Sequence, residues 1–363
     1  MAGWSEKILD IDLNTQTYKV YPLDMEMARL FIGGRGLGAR LLWDLVGPDV
    51  DPLSSENVLI FTNGPLTGTG YQTSNRFSVT TKSPLTGTIL DANSGGFWGM
   101  QFKKAGYDVM IIRGKSEQPV WIEIRNGEIL FHDASELWGM RVFALTEKLG
   151  QNNNKRNVLC IGPAGENLSR IAAIMNDRER ALARGGPGAV MGSKNLKAIV
   201  VEGKDRPGIE DPERFKFLLY ETRKLLAASP LTSQALPEFG TVVLMNIMNN
   251  VGALATRNHQ QTQFEGAEAI SGEELTEKYL VKNASCWACP IGCTRVSKTE
   301  KVEGEGPEFE STWAFGAQCG IDNLPAIIEV NTLCNDLGLD TISAGSTIAC
   351  AMELSEKGYM DSD

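Results

Sequence analysis

The chain has 363 residues, a length typical of two ordinary domains. Hydrophobic residues make up 42% of the sequence and charged residues 22%, as in soluble globular proteins. The net charge of −10 argues against nucleic acids and anionic membrane surfaces as partners. The first residues lack a basic segment followed by an apolar run, and no apolar stretch reaches membrane-spanning length. We therefore expect a cytoplasmic protein with no membrane partner.

Short strand patterns dominate the first part of the chain. Residues 7–13 alternate apolar and polar side chains, and further strand patterns follow as far as residues 198–202. Most connections are hairpin-like, so antiparallel sheets are expected. Residues 203–212 are polar and contain two prolines, and the patterns after them are mostly helical. The sequence thus predicts a β-rich domain over residues 1–205 and a helical domain over residues 206–363.

A glycine motif, G-G-R-G-L-G-A, covers residues 33–39. Through Gly34, Gly36 and Ala39 it resembles a dinucleotide-binding motif. The context does not fit such a site, because the preceding residues have a helical pattern and no acidic ribose partner follows at the expected place. Helix packing, or close approach to another cofactor, is the favoured interpretation.

Two further glycine-rich blocks lie at residues 74–96 and 177–197. Backbone N–H groups of such loops and the fork of an arginine side chain both suit phosphate oxygens. Either block alone is also consistent with a plain surface turn. Two blocks in one domain suggest a large anionic cofactor held from both sides. The basic residues of the two blocks include Arg76, Lys82, Arg178, Arg180 and Arg184.

Three cysteines, Cys286, Cys289 and Cys293, form a C-x2-C-x3-C pattern. This spacing favours an iron–sulfur cluster, which is held by four thiolates. Zinc and buried free thiols are the alternatives. The trio lacks a fourth ligand. Cys334 and Cys350 lie in apolar helical patterns and are predicted to be core residues.

Glu310 precedes the apolar stretch S-T-W-A-F-G, so its carboxylate is expected to turn inward. Burial would raise its pKa and suit it to acid–base chemistry. Further along, Asn335 and Asp340 flank a turn at the end of an apolar helical pattern. Gly338 is predicted to follow the C-terminus of that helix.

On these motifs the chain resembles the tungsten-containing aldehyde:ferredoxin oxidoreductases. The resemblance covers essentially the whole chain. It rests on the block from N-R-F to K-S-P-L-T-G, on N-S-G-G, on R-G-G-x-G-A-V-M-G-S-K-N-L-K-A-I, and on the cysteine trio followed by G-P-E-x-E. It implies an α+β fold. An N-terminal domain of two antiparallel β-sheets with helices forms a base for the cofactor, and a mostly α-helical domain, incomplete at the C-terminus, follows.

The resemblance also implies cofactors: a tungsten (or molybdenum) bis-pterin, Mg²⁺ bridging the pterin phosphates, and a [4Fe-4S] cluster. Cys286, Cys289 and Cys293 are the implied cluster ligands, and Glu310 is the implied acid–base residue near the tungsten. The residues implied to hold the pterins and their phosphates are Arg76, Asn93, Ser94, Gly95, Gly96, Arg180, Ala181, Arg184, Gly185, Asn335 and Asp340.

The implied activity is oxidation of a small aldehyde to a carboxylic acid. Electrons leave through the cluster to ferredoxin or another electron-transfer protein, and a homodimer or larger assembly is expected. Two alternatives stay open. One is the tungstopterin subunit of an enzyme like class II benzoyl-CoA reductase, and the other is a truncated Fe–S electron-transfer chain.

The chain departs from the family's pattern at several positions. Asn335 stands where the family often has Asp, and Ala183 stands where it has glycine. Glu329 matches a subunit-bridging iron ligand, but Thr332 replaces the His that would accompany it. The family is also longer. We therefore expect a fragment, or one piece of a split enzyme, with the fourth cluster cysteine beyond Asp363.

Overall fold

The computed structural model describes residues 2–125, 127–150 and 156–360. The chain divides into two compact units. The first comprises Met1–Glu221, Cys286–Cys289 and Asn335–Leu339. The second comprises Thr222–Ser285, Pro290–Cys334 and Asp340–Asp363.

The first sheet of the first unit has six strands: β1 (Lys7–Asp12), β2 (Thr17–Pro22), β3 (Leu59–Asn63), β4 (Phe77–Lys82), β5 (Ile89–Ser94) and β6 (Val109–Arg113). Their order across the sheet is β2-β1-β6-β3-β4-β5, so β5 is an edge strand. All neighbours are antiparallel except β1 and β6, which are parallel.

The second sheet of this unit also has six strands: β7 (Val120–Arg125), β8 (Glu128–Asp133), β9 (Asn157–Cys160), β10 (Ile174–Asn176), β11 (Arg180–Leu182) and β12 (Leu196–Glu202). The order is β11-β10-β9-β12-β7-β8, which makes β11 an edge strand. Here β7 and β12 are the parallel pair. Antiparallel pairs therefore dominate both sheets, as expected, and the one parallel pair in each makes the sheets mixed.

The helices that begin in the described part of the first unit are α1 (Met25–Phe31), α2 (Gly34–Leu45), α3 (Trp98–Lys104), α4 (Val142–Gly150), α5 (Pro163–Glu166), α6 (Pro187–Ser193) and α7 (Pro212–Ala228). A short 3-10 helix spans Ser135–Leu137. The two sheets and α3 share one apolar core. In it Trp98 stacks on Phe102 with ring centroids 5.0 Å apart.

The glycine motif at the start of α2 allows close helix packing, which is one of the two interpretations that the sequence favoured. Gly33 precedes the helix with a φ of +76°, which favours glycine. Within the helix, a Cβ on Gly38 would collide with the Thr80 side chain of β4. The bare backbone thus lets α2 lie directly on the first sheet.

The second unit is mostly helical: α8 (Leu236–Phe239), α9 (Leu244–Asn250), α10 (Gly272–Lys278), α11 (Phe309–Phe315), α12 (Leu324–Leu337, its last residues belonging to the first unit) and α13 (Thr341–Glu356). A π-helix spans Leu231–Ala235, and 3-10 helices span Gly240–Val243 and Glu268–Ile270. The unit also contains a three-stranded antiparallel sheet that was not predicted: β13 (Leu280–Ala284), β14 (Thr294–Lys298) and β15 (Glu303–Glu305).

The α+β class is confirmed, with sheets concentrated in the first unit and helices in the second. In the part of the chain that the structure describes, no helix combines the length and the apolar character needed to cross a membrane.

Candidate functional site

Two edge strands, β5 and β11, bring the glycine-rich blocks of the first unit together. The loop after β5 is held by two asparagine side chains. Asn176, at the end of β10, donates from Nδ2 to Ser94 Oγ at 3.1 Å and to the Gly95 carbonyl at 2.9 Å. Asn75 donates from Nδ2 to the Gly96 carbonyl at 2.6 Å. The loop is therefore fixed by both sheets rather than lying as a plain surface turn.

The amide oxygens of the same two asparagines are unusual. Asn75 Oδ1 and Asn176 Oδ1 are buried and have no hydrogen-bond partner among the residues that the structure describes. A buried polar atom without a partner is costly, so each instance calls for an explanation. Two such acceptors beside one loop fit a polar ligand that carries N–H groups. Sequence reasoning did not single out either residue, although Asn75 stands directly before Arg76 in the N-R-F motif.

The two glycines of the loop lie against a basic and a sulfur-bearing side chain. A Cβ on Gly96, whose φ is +75°, would lie 2.8 Å from Arg180 Cδ and 2.9 Å from Asn176 Nδ2. A Cβ on Gly95 would lie 2.5 Å from Cys286 Sγ. Neither position has room for a side chain, so the bare backbone is what allows this approach.

Arg76 and Asn93 form a second polar pair at the same end of the first sheet. Arg76 Nε donates to Asn93 Oδ1 at 2.7 Å, and Nη2 donates to the Asn93 carbonyl at 3.3 Å. The pair fixes the guanidinium, although the Arg76 side chain as a whole is exposed. A positive group held in place and open to solvent is suited to an anionic ligand.

The cysteine segment contributes to this face through its first residues. Arg180 Nη1 donates to Cys286 Sγ at 3.1 Å, and the Trp287 amide donates to the Gly96 carbonyl at 3.2 Å. Cys286 and Cys289 belong to the first unit, and Cys293 belongs to the second. No group of three or more His, Cys, Asp or Glu side chains in the described part of the chain is arranged to hold a metal ion. Cluster ligation stays a prediction from the cysteine spacing.

The remaining predicted residues of the second block lie on or just after β11. Ala181 pairs with Met175 across the β10–β11 hairpin. Arg184 is exposed, and the Gly185 carbonyl accepts from Ser83 Oγ at 2.6 Å. This last bond ties the second block to the first.

Two basic residues of the blocks take other roles. Lys82 donates from Nζ to the carbonyls of Pro48 and Val50, the latter at 2.7 Å, so its charge supports a neighbouring loop. Arg178 lies over the Phe143 ring, 4.4 Å from the ring centroid. The expectation that Lys82 adds charge to the ligand site is not supported by these contacts.

Asn335 and Asp340 flank the turn between α12 and α13, as predicted. Asn335 is buried, and Gly338 follows the helix with a φ of +76°, so the predicted C-terminal glycine is confirmed. Asp340 caps α13: its carboxylate accepts from the amides of Ile342 at 3.3 Å and Ser343 at 3.2 Å, and from the Ser343 hydroxyl. Capping alone accounts for an aspartate at this position.

Glu310 lies in the first turn of α11, and its side chain is exposed. The expectation of an inward carboxylate is therefore wrong. The apolar residues after it are drawn inward instead, because Ser311, Thr312, Ala314 and Phe315 form the buried side of this short helix.

The other cysteines separate into buried and exposed residues. Burial raises the pKa of Cys160 to about 12 and the pKa values of Cys319 and Cys334 to about 11. Their burial makes these three thiols inaccessible to a cluster. Cys350 is exposed, so its assignment to the core is wrong. By contrast, Cys286, Cys289 and Cys293 are all partly accessible.

Comparison with known proteins assigns the chain to a family. The sequence profile of the aldehyde ferredoxin oxidoreductase N-terminal domain matches residues 8–203, and the profile of domains 2 and 3 matches residues 218–363. The chain belongs to the aldehyde ferredoxin oxidoreductase family. The resemblance seen in the sequence motifs is confirmed.

Curated members of this family are nearly half identical to the chain. The tungsten-containing aldehyde ferredoxin oxidoreductase of Pyrococcus furiosus is 48% identical over 363 residues, which cover 99% of this chain and 60% of the relative. The enzyme of the same name from Thermococcus kodakarensis is 49% identical over 368 residues, covering 100% of this chain and 60% of the relative. The chain thus spans three fifths of the length of the curated family members it matches.

A solved structure shares the fold. The active-site complex BamBC of benzoyl coenzyme A reductase, with bound 1,5-dienoyl-CoA, matches with a TM-score of 0.88 at 30% sequence identity. The match covers 99% of this chain and 57% of the other.

Proposed function

We propose that this chain is part of a tungsten-bis-pterin oxidoreductase that converts small aldehydes to carboxylic acids. Electrons would leave through a [4Fe-4S] cluster to ferredoxin or another electron-transfer protein. The observation that carries the proposal is the loop at Gly95 and Gly96, with two arginines around it and two buried amide oxygens that have no partner among the described residues. About half of the residues of this chain are identical to those of tungsten-containing relatives, which supports the same function.

The residues of the first unit fit a pterin with phosphate groups. Arg76, Asn93, Gly95, Arg180 and Ala181 together are proposed to hold the pterin phosphates and their Mg²⁺, with the two arginines supplying positive charge for the phosphates. Asn75 and Asn176 supply acceptors for ring N–H groups. The bare backbone of Gly95 and Gly96 lets Cys286 and Arg180 lie directly against this loop. The further residues proposed around the pterins are Ser94, Arg184, Gly185, Asn335 and Asp340.

A bound tungstopterin would supply the two-electron chemistry. Around it, the chain's own groups would bind the substrate, exclude water and handle protons. We propose that the Glu310 carboxylate takes a proton from water at one of its Oε atoms. Its exposed position permits exchange of that proton with solvent.

Cys286, Cys289 and Cys293 are proposed as three thiolate ligands of the [4Fe-4S] cluster. Their accessibility separates them from Cys160, Cys319 and Cys334, which are buried. The C-x2-C-x3-C spacing supports ligation of a single cluster by all three cysteines.

The second candidate is a subunit that acts on an aromatic thioester, as in benzoyl-CoA reductase. The fold match to the BamBC complex supports it, but at only 30% identity, against 48–49% for the aldehyde enzymes. We therefore place aldehyde oxidation first. The third candidate is a truncated Fe–S electron-transfer chain. For all candidates, we propose a cytoplasmic protein that forms a homodimer or a larger assembly.

Metal analysis with an activity assay tests the proposal. The protein is purified anaerobically from cells supplied with tungstate, and tungsten, molybdenum, iron and zinc are measured by plasma mass spectrometry. We expect tungsten, or molybdenum in its place, at about one per chain and about four irons, with aldehyde-dependent reduction of a viologen dye. Zinc without iron would reject the cluster. Iron without tungsten or molybdenum would favour the electron-transfer chain, and dye reduction by a dienoyl-CoA but not by aldehydes would favour the second candidate.

A further inference from the structure

Cys286 has a charged hydrogen-bond donor built into the same unit. Arg180 Nη1 lies 3.1 Å from Cys286 Sγ, with geometry suited to N–H···S donation. A guanidinium carries a permanent positive charge, so this contact places a fixed cation directly against the Cys286 sulfur. Arg180 is 106 residues from Cys286 in sequence, and no local pattern places them together.

Three features hold this contact in place. Arg180 lies on edge strand β11, where it pairs with Asn176 of β10. Asn176 in turn binds the Gly95 carbonyl at 2.9 Å. On the other side, the Trp287 amide binds the Gly96 carbonyl at 3.2 Å, which fixes the chain directly after Cys286. The sulfur therefore lies against Gly95 and faces a guanidinium that the sheet positions.

We propose that Arg180 sets the reduction potential of the iron–sulfur cluster that Cys286 ligates. The inference rests on the proposed function, because it requires the cluster. Hydrogen bonds to ligand sulfurs and nearby positive charge stabilise the reduced form of a cluster. Reduction adds one electron to the cluster. The Arg180 cation therefore raises the potential at which that electron is accepted.

This role goes beyond phosphate binding. A residue that only binds the pterin phosphates would change tungsten content or activity when replaced, but not the potential of a cluster measured in the absence of the pterin. Arg180 is thus inferred to be a positioning residue for the electron path, acting on the cluster through the Cys286 sulfur.

The test is a redox titration followed by electron paramagnetic resonance on anaerobically purified protein. The variants are Arg180→Gln, which removes the charge, and Arg180→Lys, which keeps the charge but changes the donor geometry. Arg178→Gln is the matched control, because Arg178 is two residues away and lies over the Phe143 ring. All proteins, including the wild type, are also prepared from cells that cannot synthesise the pterin, so that loss of the pterin cannot cause a difference.

We expect the cluster of Arg180→Gln to titrate at a more negative potential than that of the wild type. Arg180→Lys should lie between them, and Arg178→Gln should match the wild type. If Arg180→Gln retains its iron and titrates at the wild-type potential, the inference is wrong. If Arg180→Gln loses its iron while Arg180→Lys and Arg178→Gln keep it, the potential of Arg180→Lys decides: a value more negative than that of the wild type supports the inference, and the wild-type value contradicts it. If neither Arg180 variant binds iron, the intermediate rank of Arg180→Lys is contradicted and the inference is withdrawn. A wild type without iron would instead reject the proposed function.

Discussion

At the scale of single residues, replacing Gly96 tests whether the close packing of its loop contributes to stability. Its φ of +75° disfavours any other residue, and a Cβ would lie within 3 Å of both Arg180 and Asn176. We expect Gly96→Ala to lower the free energy of unfolding by about 2–4 kcal/mol, from backbone strain and crowding combined. Urea denaturation measures this, and tungsten content should fall in parallel because the loop is displaced.

Gly87 offers the matched control for that substitution. It has a similar φ of +71°, but a Cβ there would have nothing within 4 Å. Gly87→Ala should cost about 1 kcal/mol, the backbone strain alone, and should leave tungsten bound. Equal losses of stability in the two variants would mean that crowding against Arg180 and Asn176 has no energetic effect.

The residues of the site could be predicted only in part from the sequence. Motifs point to arginines and glycines because phosphate binding uses few residue types, and Arg76, Gly95 and Arg180 do meet in one unit. Asn75 and Asn176 were missed. An asparagine looks the same in sequence whether its amide oxygen is paired or unpaired, because pairing depends on residues far away in the chain, such as Gly96 for Asn75 and Gly95 for Asn176. Glu310 was expected to be buried, but it is exposed because only the residues after it form the buried side of α11.

At the scale of elements, Asp340 is the N-cap of α13. Asp340→Ala removes the acceptor for the amides of Ile342 and Ser343, and should cost about 0.5–2 kcal/mol of stability. Asp340→Asn should cost little, because asparagine caps helices equally well. Denaturation of both variants measures the cap. If Asp340→Asn keeps its stability but loses tungsten, the carboxylate has the additional pterin role; if it is as unstable as Asp340→Ala, capping does not explain the residue.

The elements that sequence reasoning missed share a physical cause. A parallel pair such as β1 and β6 needs a long crossover, so it joins strands that are far apart in the chain. Hairpin spacing reveals only neighbours in sequence, and it therefore predicted antiparallel sheets. The sheet of β13, β14 and β15 was missed because its strands are three to five residues long and flank the cysteine segment. Longer, more strongly patterned elements such as β12 and α13 were found.

At the scale of the whole molecule, the two units should respond differently to alkaline pH. In the first unit, opposite effects compete. Burial lowers the pKa of Lys194 to about 8, so stability rises as pH increases from about 8 to 10.5 while the unfolded chain still holds that proton. Burial also lowers the pKa values of Lys103 and Lys104. In the other direction, burial raises the pKa values of Cys160, Tyr21 and Tyr107, which removes stability above about 9 to 10.

In the second unit the pKa shifts of two buried thiols and three lysines act in the same direction. Burial raises the pKa values of Cys319 and Cys334 from 9.0 to about 11, so between these values the folded unit holds two protons that the unfolded chain has lost. Each thiol then lowers the free energy of unfolding by up to about 1.4 kcal/mol per pH unit. Ion pairs raise the pKa values of Lys278, Lys301 and Lys357, which extends the loss above 10.5.

We therefore expect the second unit to unfold before the first as pH rises from 8 to 11. Digestion with an alkaline-tolerant protease at each pH, with cut sites read by mass spectrometry, measures the order. A variant carrying both Cys319→Ala and Cys334→Ala provides the control. Cavities make it less stable at every pH, but its resistance should change far less between pH 9 and 10.5 than that of the wild type. Cuts that appear first in the first unit, or an equal pH response in the double variant, would show that these two buried thiols do not set the alkaline limit of the fold.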